Sequence, residues 1–334
     1  MGRRLRIGTR ASALARVQAA WVAGELEARF PGWRCELVPV TTGGDRDRSR
    51  PLYELGGTGA FVKELEQALL AGDIDLAVHS AKDVPTRLPD GLVLAAFPQR
   101  ESAADAIVLP ARREGAVQEA GEGTATGVPV SGPAGLALLP TGARVGTSSL
   151  RRQALLLATR PDLAVEPVRG NLDTRLRRLD EGRYDALVLA AAGLRRLGLA
   201  HRIAAELPPE WMPTAPGQGA LAVEVRADDE EVRRLVTAID REAVSLAVRA
   251  ERSFLAELGG TCRVPIGAYG RVNGGLLRLD GFVAGPQGSP CLRETVEGPA
   301  SRAEELGRQL AARLLRRGAA AVLEAVTGAG GSNA

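Results

Sequence analysis

Two stretches of this chain repeat one device, a short apolar strand running through a Gly-Thr turn into the start of a helix. In the first, Arg6-Ile7-Gly8-Thr9 is followed by Arg10 and Ser12. In the second, Arg144-Val145-Gly146-Thr147 is followed by Ser148, Ser149, Arg151 and Arg152. A helix start presents unpaired backbone N–H groups and the positive end of the helix dipole, so it attracts anions. Hydroxyls and fork-shaped guanidinium groups beside it suit carboxylate or phosphate. Taken singly, each residue reads more simply as a cap or a solvated arginine. Both sets together point to a ligand cleft between two domains. Arg169-Gly170-Asn171, with Arg175, adds cations at a third helix start.

His79-Ser80-Ala81-Lys82-Asp83-Val84-Pro85 closes a hydrophobic strand, where open α/β sheets place their ligands. Lys63 and Lys82 are the two lysines among 43 basic residues, so the other 41 are arginines. A lysine kept at position 82 against that habit suggests a need for a compact ammonium; a surface lysine paired with Asp83 is the plainer alternative. Asp83 could act as general acid or as the anion beside a developing cation. A lone Asp before Val-Pro also serves as an ordinary turn residue.

Gly56-Gly57-Thr58-Gly59-Ala60-Phe61 lacks the spacing of a phosphate-binding P-loop. Its glycines, with Phe61, suit a mobile lid better. Cys262 follows paired glycines and precedes Arg263, a setting that could expose a thiolate, although most isolated cysteines are inert packing residues. The three cysteines are far apart and the histidines number two, so neither a disulfide framework nor a metal site is expected.

Composition narrows the class. The 334 residues allow two or three domains at roughly 100–200 residues each. A net charge of +3 is too small for a polyanion-binding protein, and 3% aromatics leave no stacking platform for nucleic acid. The arginine excess has two explanations, a codon habit or a site built to hold many carboxylates. No apolar run approaches a membrane span and the first residues lack a signal-peptide core, so a cytoplasmic, soluble protein is expected.

Strands and helices alternate, which favours α/β layers. Leu5–Gly8 reads as a strand, with Ser12 capping a helix to about Phe30 whose apolar positions are Leu14, Val17, Trp21 and Leu26. Cys35–Val40, a helix Phe61–Leu70 and a buried strand Asp75–His79 follow. Gly72-Asp73-Ile74-Asp75 resembles Gly182-Arg183-Tyr184-Asp185, a second weak sign of internal repetition. Residues 113–140, rich in Gly, Ala and Pro, read as a flexible surface insertion. A third unit holds a helix near Ala243–Leu258, strands around Gly267–Val272 and Leu276–Val283, and one helix from Arg302 to Val326. The tail from Thr327 is expected to fray.

These segments together resemble the porphobilinogen deaminase (hydroxymethylbilane synthase) family, from Leu5 to about Val326. The most specific pieces are Ala77–Pro85, Val145–Gln153, Arg169–Leu176, Pro216-Gly217-Gln218-Gly219-Ala220 and Gly259-Gly260-Thr261-Cys262 through Gly267. The resemblance implies an α/β fold in three domains. The first two are periplasmic-binding-protein-like (type II) around a cleft, and the third is a small α/β domain bearing the cysteine. Their expected limits are 1–99 with 217–240, 100–216, and 241–334, with crossovers near Phe97–Ser102 and Thr214–Gln218.

The implied chemistry is a transferase reaction of heme and porphyrin biosynthesis. A dipyrromethane cofactor is joined to Cys262 through a thioether; four porphobilinogen units are added head to tail, each losing ammonia, and the linear tetrapyrrole is released by hydrolysis. Asp83 matches the catalytic aspartate. Arg10, Ser12, Ser80, Lys82, Thr147, Ser148, Ser149, Arg151, Arg152, Arg169, Gly170, Arg175, Arg196 and Gln218 match positions that bind cofactor and substrate carboxylates. Gly56, Gly57, Gly59 and Phe61 match the lid, but Thr58 stands where many members have lysine, which removes a lid-to-carboxylate contact. A monomer acting on a small molecule, with no nucleic acid and no membrane, is expected. A non-enzymatic anion-binding protein of the periplasmic-binding type is the rival; it leaves Asp83 and Cys262 without roles.

Overall fold

Strand β1 (Arg3–Arg10) buries Leu5, Ile7, Gly8 and Thr9, so it lies inside a sheet rather than at its edge. The computed structural model describes residues 3–41, 43, 62–111, 134–259 and 264–329. In the first sheet β1 pairs in parallel with β2 (Trp33–Val40) and β3 (Leu76–Ser80). The sheet is completed by β10 (Leu221–Arg226), antiparallel to both β3 and β4 (Leu92–Ala96). The order is β2-β1-β3-β10-β4.

The second sheet repeats this plan as β7-β6-β8-β5-β9. Here β6 (Arg144–Gly146) pairs in parallel with β7 (Ala164–Glu166) and β8 (Ala186–Ala190), and β5 (Asp105–Val108) runs antiparallel to β8 and β9 (Ile203–Leu207). The weak sequence repeat is therefore structural. Arg6 grips Asp75 by its backbone N at 2.7 Å and its Nη2 at 2.6 Å, and Arg144 grips Asp185 likewise at 2.8 and 3.0 Å. Gly8 and Gly146 occupy matching places for one reason: a Cβ would collide with Ile74 in the first and Leu187 in the second.

Each sheet borrows its antiparallel middle strand from across a crossover. The chain leaves the first sheet after β4 for β5 and returns from β9 to β10, near the two expected crossovers. Glu101 N donates to Gly219 O at 3.0 Å and Leu221 N to Gln99 O at 2.9 Å, so the two crossing segments are laced together.

Helix α1 (Ala13–Arg29) starts at Ser12, whose Oγ accepts from Ala15 N at 3.3 Å, as expected. Its buried face matches the expected one only in part: Leu26 is covered and Trp21 packs against the core, but Val17 is 40% exposed and Ala15, Gln18, Ala19 and Val22 complete the covered face. Small residues carry much of the contact there, so the largest side chains misled in part. Helix α2 (Lys63–Leu70) packs beneath β3, through Leu65 and Leu69 against Ile74 and Ala77. Helices α3 (Leu150–Thr159), α4 (Leu172–Asp180) and α5 (Ala191–Arg196) belong to the second sheet, and α6 (Glu230–Thr237) to the first.

The third sheet is a meander, β11 (Ile266–Asn273), β12 (Leu276–Ala284) and β13 (Cys291–Pro299), covered by α7 (Glu242–Glu257) and α8 (Ala303–Arg316). Strand β13, with its polar exposed residues, was not anticipated. The single helix expected over 302–326 is two, because Gly318 turns the chain at φ +97° before α9 (Ala319–Ala329). Of the expected flexible insertion, residues 113–133 lie outside the described residues. Its end is not a surface loop: Leu136 and Leu139 are buried against Ile107 and Val145. The Gly- and Pro-rich stretch before it masked a short apolar run.

Candidate active site

The site forms where β1 and β3 end in the first sheet and where β6 and β8 end in the second. Arg10, Ser12, His79, Ser80 and Asp83 line one small cavity together with Gln18. Gln18 is buried on α1 and its Nε2 donates to Ser80 Oγ at 2.9 Å, which holds the strand end against the helix. Lys82 and Asp83 follow in a single turn of 3-10 helix, Ala81–Asp83, pinned at its start by Ala81 N donating to Ala220 O at 2.9 Å. Gly217 sits against Ala81 and the Lys82 backbone with φ +79°, a place that only glycine fills without strain.

Across the cleft a network starts from Asp105, which is fully buried at the start of β5. Arg151 Nη2 donates to its Oδ2 at 2.7 Å, and Arg152 Nε to its Oδ1 at 2.9 Å. Gln218 Nε2 adds a third bond at 2.9 Å. Burial works to raise the Asp105 carboxyl, but Arg151, Arg152 and Gln218 overcome it and hold the group well below the usual carboxylate range. Gln218 Oε1 then lies 3.4 Å from Arg152 Nη2 and 3.5 Å from Lys82 Nζ. The crossover glutamine thus joins the lysine beside Asp83 to the buried pair of arginines.

Burial pushes Lys82 down to about 8, and Arg152 and Arg151 add to that against the pull of Asp83 and Asp105. Arg175, on α4 of the second sheet, is pushed down to about 10 by burial and by Arg152 and Arg169, with Asp83 opposing. The charge of Asp83 thus opposes the lowering of both cations. Arg175 Nε also donates to Gly170 O at 2.8 Å, which ties its side chain to the start of α4.

The structure divides the sequence candidates. Arg10, Ser12, Ser80, Lys82, Asp83, Arg169, Gly170 and Arg175 lie at the strand ends and helix starts around the cleft. Arg151, Arg152 and Gln218 are bound into the Asp105 network, and so act first on one another. Ser148 Oγ donates to Val168 O at 2.7 Å and accepts from Val168 N at 3.0 Å, bracing the loop that carries Arg169. Ser149 caps α3 by accepting from Arg152 N at 3.4 Å, and Thr147 Oγ1 accepts from Ser149 N at 3.3 Å. Arg196 Nη2 donates to Gly219 O at 2.7 Å, and burial pushes its guanidinium down to about 10 against the pull of Glu101. Cys262 and the lid residues Gly56, Gly57, Gly59 and Phe61 lie outside the described residues.

A buried cluster behind the cavity was not foreseen. His79 Nε2 lies 3.0 Å from Glu224 Oε2, and Glu66 of α2 lies close by, with Glu66 Oε1 and Glu224 Oε1 both lacking a hydrogen-bond partner. Burial raises the Glu66 pKa, Glu224 raises it further, and His79 opposes. The folded state thus holds a proton that the unfolded chain gives up, so stability falls as pH rises above the ordinary glutamate range. Glu66→Gln removes that cost and offers Glu224 a donor. It is expected to raise stability at pH 7–8 by about 1 kcal/mol, or roughly 1–2 °C in Tm, with less gain at pH 4–5. Thermal melts across that range check it, and an unchanged or lower Tm at pH 7–8 refutes it.

Comparison with known proteins decides the family. The model described as "Porphobilinogen deaminase, dipyromethane cofactor binding domain" matches residues 5–234, and that of the "Porphobilinogen deaminase, C-terminal domain" matches 245–316. The chain belongs to the porphobilinogen deaminase family. It is 48% identical over 324 residues to the porphobilinogen deaminase of Pelobacter propionicus, covering 97% of each chain. To that of Geotalea daltonii it is 46% identical, covering 97% of this chain and 95% of the relative. To that of Chromobacterium violaceum it is 45% identical, covering 96% and 97%. A solved ancestral cationic amino acid solute binding protein aligns with 71% of this chain and 87% of its own, at 14% identity and a TM-score of 0.39.

The activity is thus hydroxymethylbilane synthase, a transferase of porphyrin and heme biosynthesis that works with a dipyrromethane cofactor. The residues present fit such a group. Two pyrroles bring four carboxylates, and Arg10, Lys82, Arg169 and Arg175 stand at the strand ends and helix starts around the cleft; Arg169 and Arg152 both lower Arg175, a repulsion that an arriving anion relieves. No helix among the described residues is long and apolar enough to cross a membrane, and no group of three metal-ligating side chains occurs among them.

Proposed function

We propose that Asp83 is the catalytic carboxylate for every addition, that Cys262 carries the dipyrromethane, and that Arg10, Lys82, Arg169 and Arg175, with Ser12 and Ser80, hold the acetate and propionate groups. Arg151, Arg152, Arg196, Gln218, Thr147, Ser148 and Ser149 serve that set by fixing the loops that carry it. The bound dipyrromethane supplies the pyrrole carbon to which the first substrate is joined. In each addition the C–N bond of a porphobilinogen aminomethyl group breaks and ammonia leaves. A C–C bond then forms to the free ring carbon, which gives up its proton. Asp83 stabilises the cation developing at the methylene carbon and carries the proton at its carboxylate.

The observation that carries this assignment is the placement of Asp83, which lines one cavity with Arg10, Ser12 and Ser80 and follows Lys82 in a single turn, where its charge opposes the lowering of both Lys82 and Arg175. An anion so placed is worth most when positive charge appears between those cations and itself. The domain limits 1–99 with 217–240, 100–216 and 241–334 are supported by the three sheets and their two crossovers. We propose in addition that the protein acts as a cytoplasmic monomer.

Intact-mass measurement tests the attachment. Active wild-type protein is expected to exceed its sequence mass by one dipyrromethane, and Cys262→Ser to run at the bare mass. Active protein without the adduct, or an adduct surviving Cys262→Ser, overturns the assignment.

A further inference from the structure

Helix α7, in the third domain, reaches the Asp83 turn at three neighbouring positions. Val248 packs in one apolar cluster with Ala81 and Val84, which bracket Lys82 and Asp83. Glu251, fully buried, accepts from Gly217 N at 2.6 Å and from Gly270 N and Arg100 Nη1 at 2.7 Å each. It thereby holds the crossover whose next residue is Gln218. Arg252 reaches the backbone just past the turn: Nη1 donates to Val84 O at 2.9 Å, and Nη2 to Pro85 O at 2.6 Å and Thr86 O at 3.5 Å.

The segment it grips runs between β3 and β4 without a ladder of its own, and Pro85 has no N–H to offer one. A guanidinium bound through both terminal nitrogens fixes direction as well as distance. Burial pushes Arg252 down to about 10 against the pull of Glu224, so it remains charged at neutral pH. The same helix ends at Glu257, five residues before Cys262.

We propose that Arg252 is a positioning residue: by clamping the carbonyls of Val84, Pro85 and Thr86 to α7, it holds Asp83 at a set place against the helix that packs on its turn. The proposal rests on Asp83 being the catalytic carboxylate. A carboxylate on a turn free to drift by an ångström loses much of its value, on the order of 10²-fold in the extreme.

The test uses cofactor-loaded protein. In Arg252→Leu, amides of residues 82–88 are expected to exchange hydrogen about tenfold faster or more, with α7 peptides unchanged. Turnover per loaded molecule is expected to fall about tenfold with KM within about twofold, since the carboxylate-holding side chains are intact. Arg252→Lys, a single-point donor, is expected to fall between wild type and Leu, and it carries the test alone if the leucine variant does not fold. Unchanged exchange at 82–88 overturns the clamp; faster exchange with unchanged turnover overturns its role in positioning Asp83. Should Asp83→Asn prove nearly as active as wild type, the catalytic assignment fails while the exchange result still reports on the clamp.

Discussion

Asp83→Asn is expected to fold, to keep its covalent cofactor, and to turn over porphobilinogen about 10²–10³-fold more slowly, a loss of roughly 3–4 kcal/mol in transition-state stabilisation. The side chain changes by one atom type, so packing of the Ala81–Asp83 turn against Ala220 and Val248 stays intact. The negative charge disappears. Asp83 is a counter-charge for Lys82 and Arg175 alike, so its loss leaves a cleft that still binds carboxylates but now repels the cation formed as ammonia leaves. The amide also cannot take up and return a proton near neutral pH. The effect therefore belongs to kcat, with KM little changed or lower. Ammonia release in a single turnover, measured on protein whose mass shows the cofactor in place, checks it. A rate within a few-fold of wild type would remove Asp83 from the mechanism.

Much of this site could be read from residue order because local rules govern it. Ser12 and Ser149 are caps, and caps are set within four residues of their partners. The pairing of Arg6 with Asp75 and of Arg144 with Asp185 shows why the two short repeats were informative: each closes the same strand-helix-strand unit. Lys82 stood out because arginine fills nearly every other basic position. What stayed hidden depends on distant partners. Asp105 is the one acid at the head of an apolar run, Ala103 to Val108, and Glu224 sits in a similar run, Leu221 to Val225. A carboxylate inside a buried strand must find a polar partner, so both were visible as questions; their answers, Arg151 with Arg152 and His79, lie 46, 47 and 145 residues away. The bonds of Arg151 and Arg152 to Asp105 stayed hidden for the same reason. No count of arginines distinguishes one that greets a ligand from one that serves a buried aspartate. The Arg252 clamp was invisible in principle, since backbone carbonyls carry no residue signature.

Removal of the Asp105 carboxylate is expected to be the most destabilising single change at the site. Asp105 is fully buried, with Arg151 and Arg152 at 2.7 and 2.9 Å. In Asp105→Ala two guanidiniums remain in the interior without their anion, and Arg151 Nε already lacks a partner. Breaking a buried pair in this way costs about 3–5 kcal/mol, well above an exposed ion pair such as Arg144–Asp185. For a protein of this size the midpoint is expected to drop by roughly 4–7 °C. Asp105→Asn keeps the shape and one acceptor and should fall between. The pH dependence follows from the depressed folded-state pKa: the unfolded carboxylate binds its proton more readily, so stability rises with pH. The contribution is complete above the ordinary aspartate pKa of about 3.9 and drains away below it. Wild type should therefore lose stability between pH 5 and 3 faster than Asp105→Asn, which has no group to titrate there. Because Gln218 bridges Asp105 to Lys82, Asp105→Ala should also weaken substrate binding in whatever fraction stays folded, at pH 7 and low temperature. Thermal melts from pH 3 to 8 decide the matter: a midpoint for Asp105→Ala within about 2 °C of wild type at pH 7 would mean that Arg151 and Arg152 find water or another anion once Asp105 is gone.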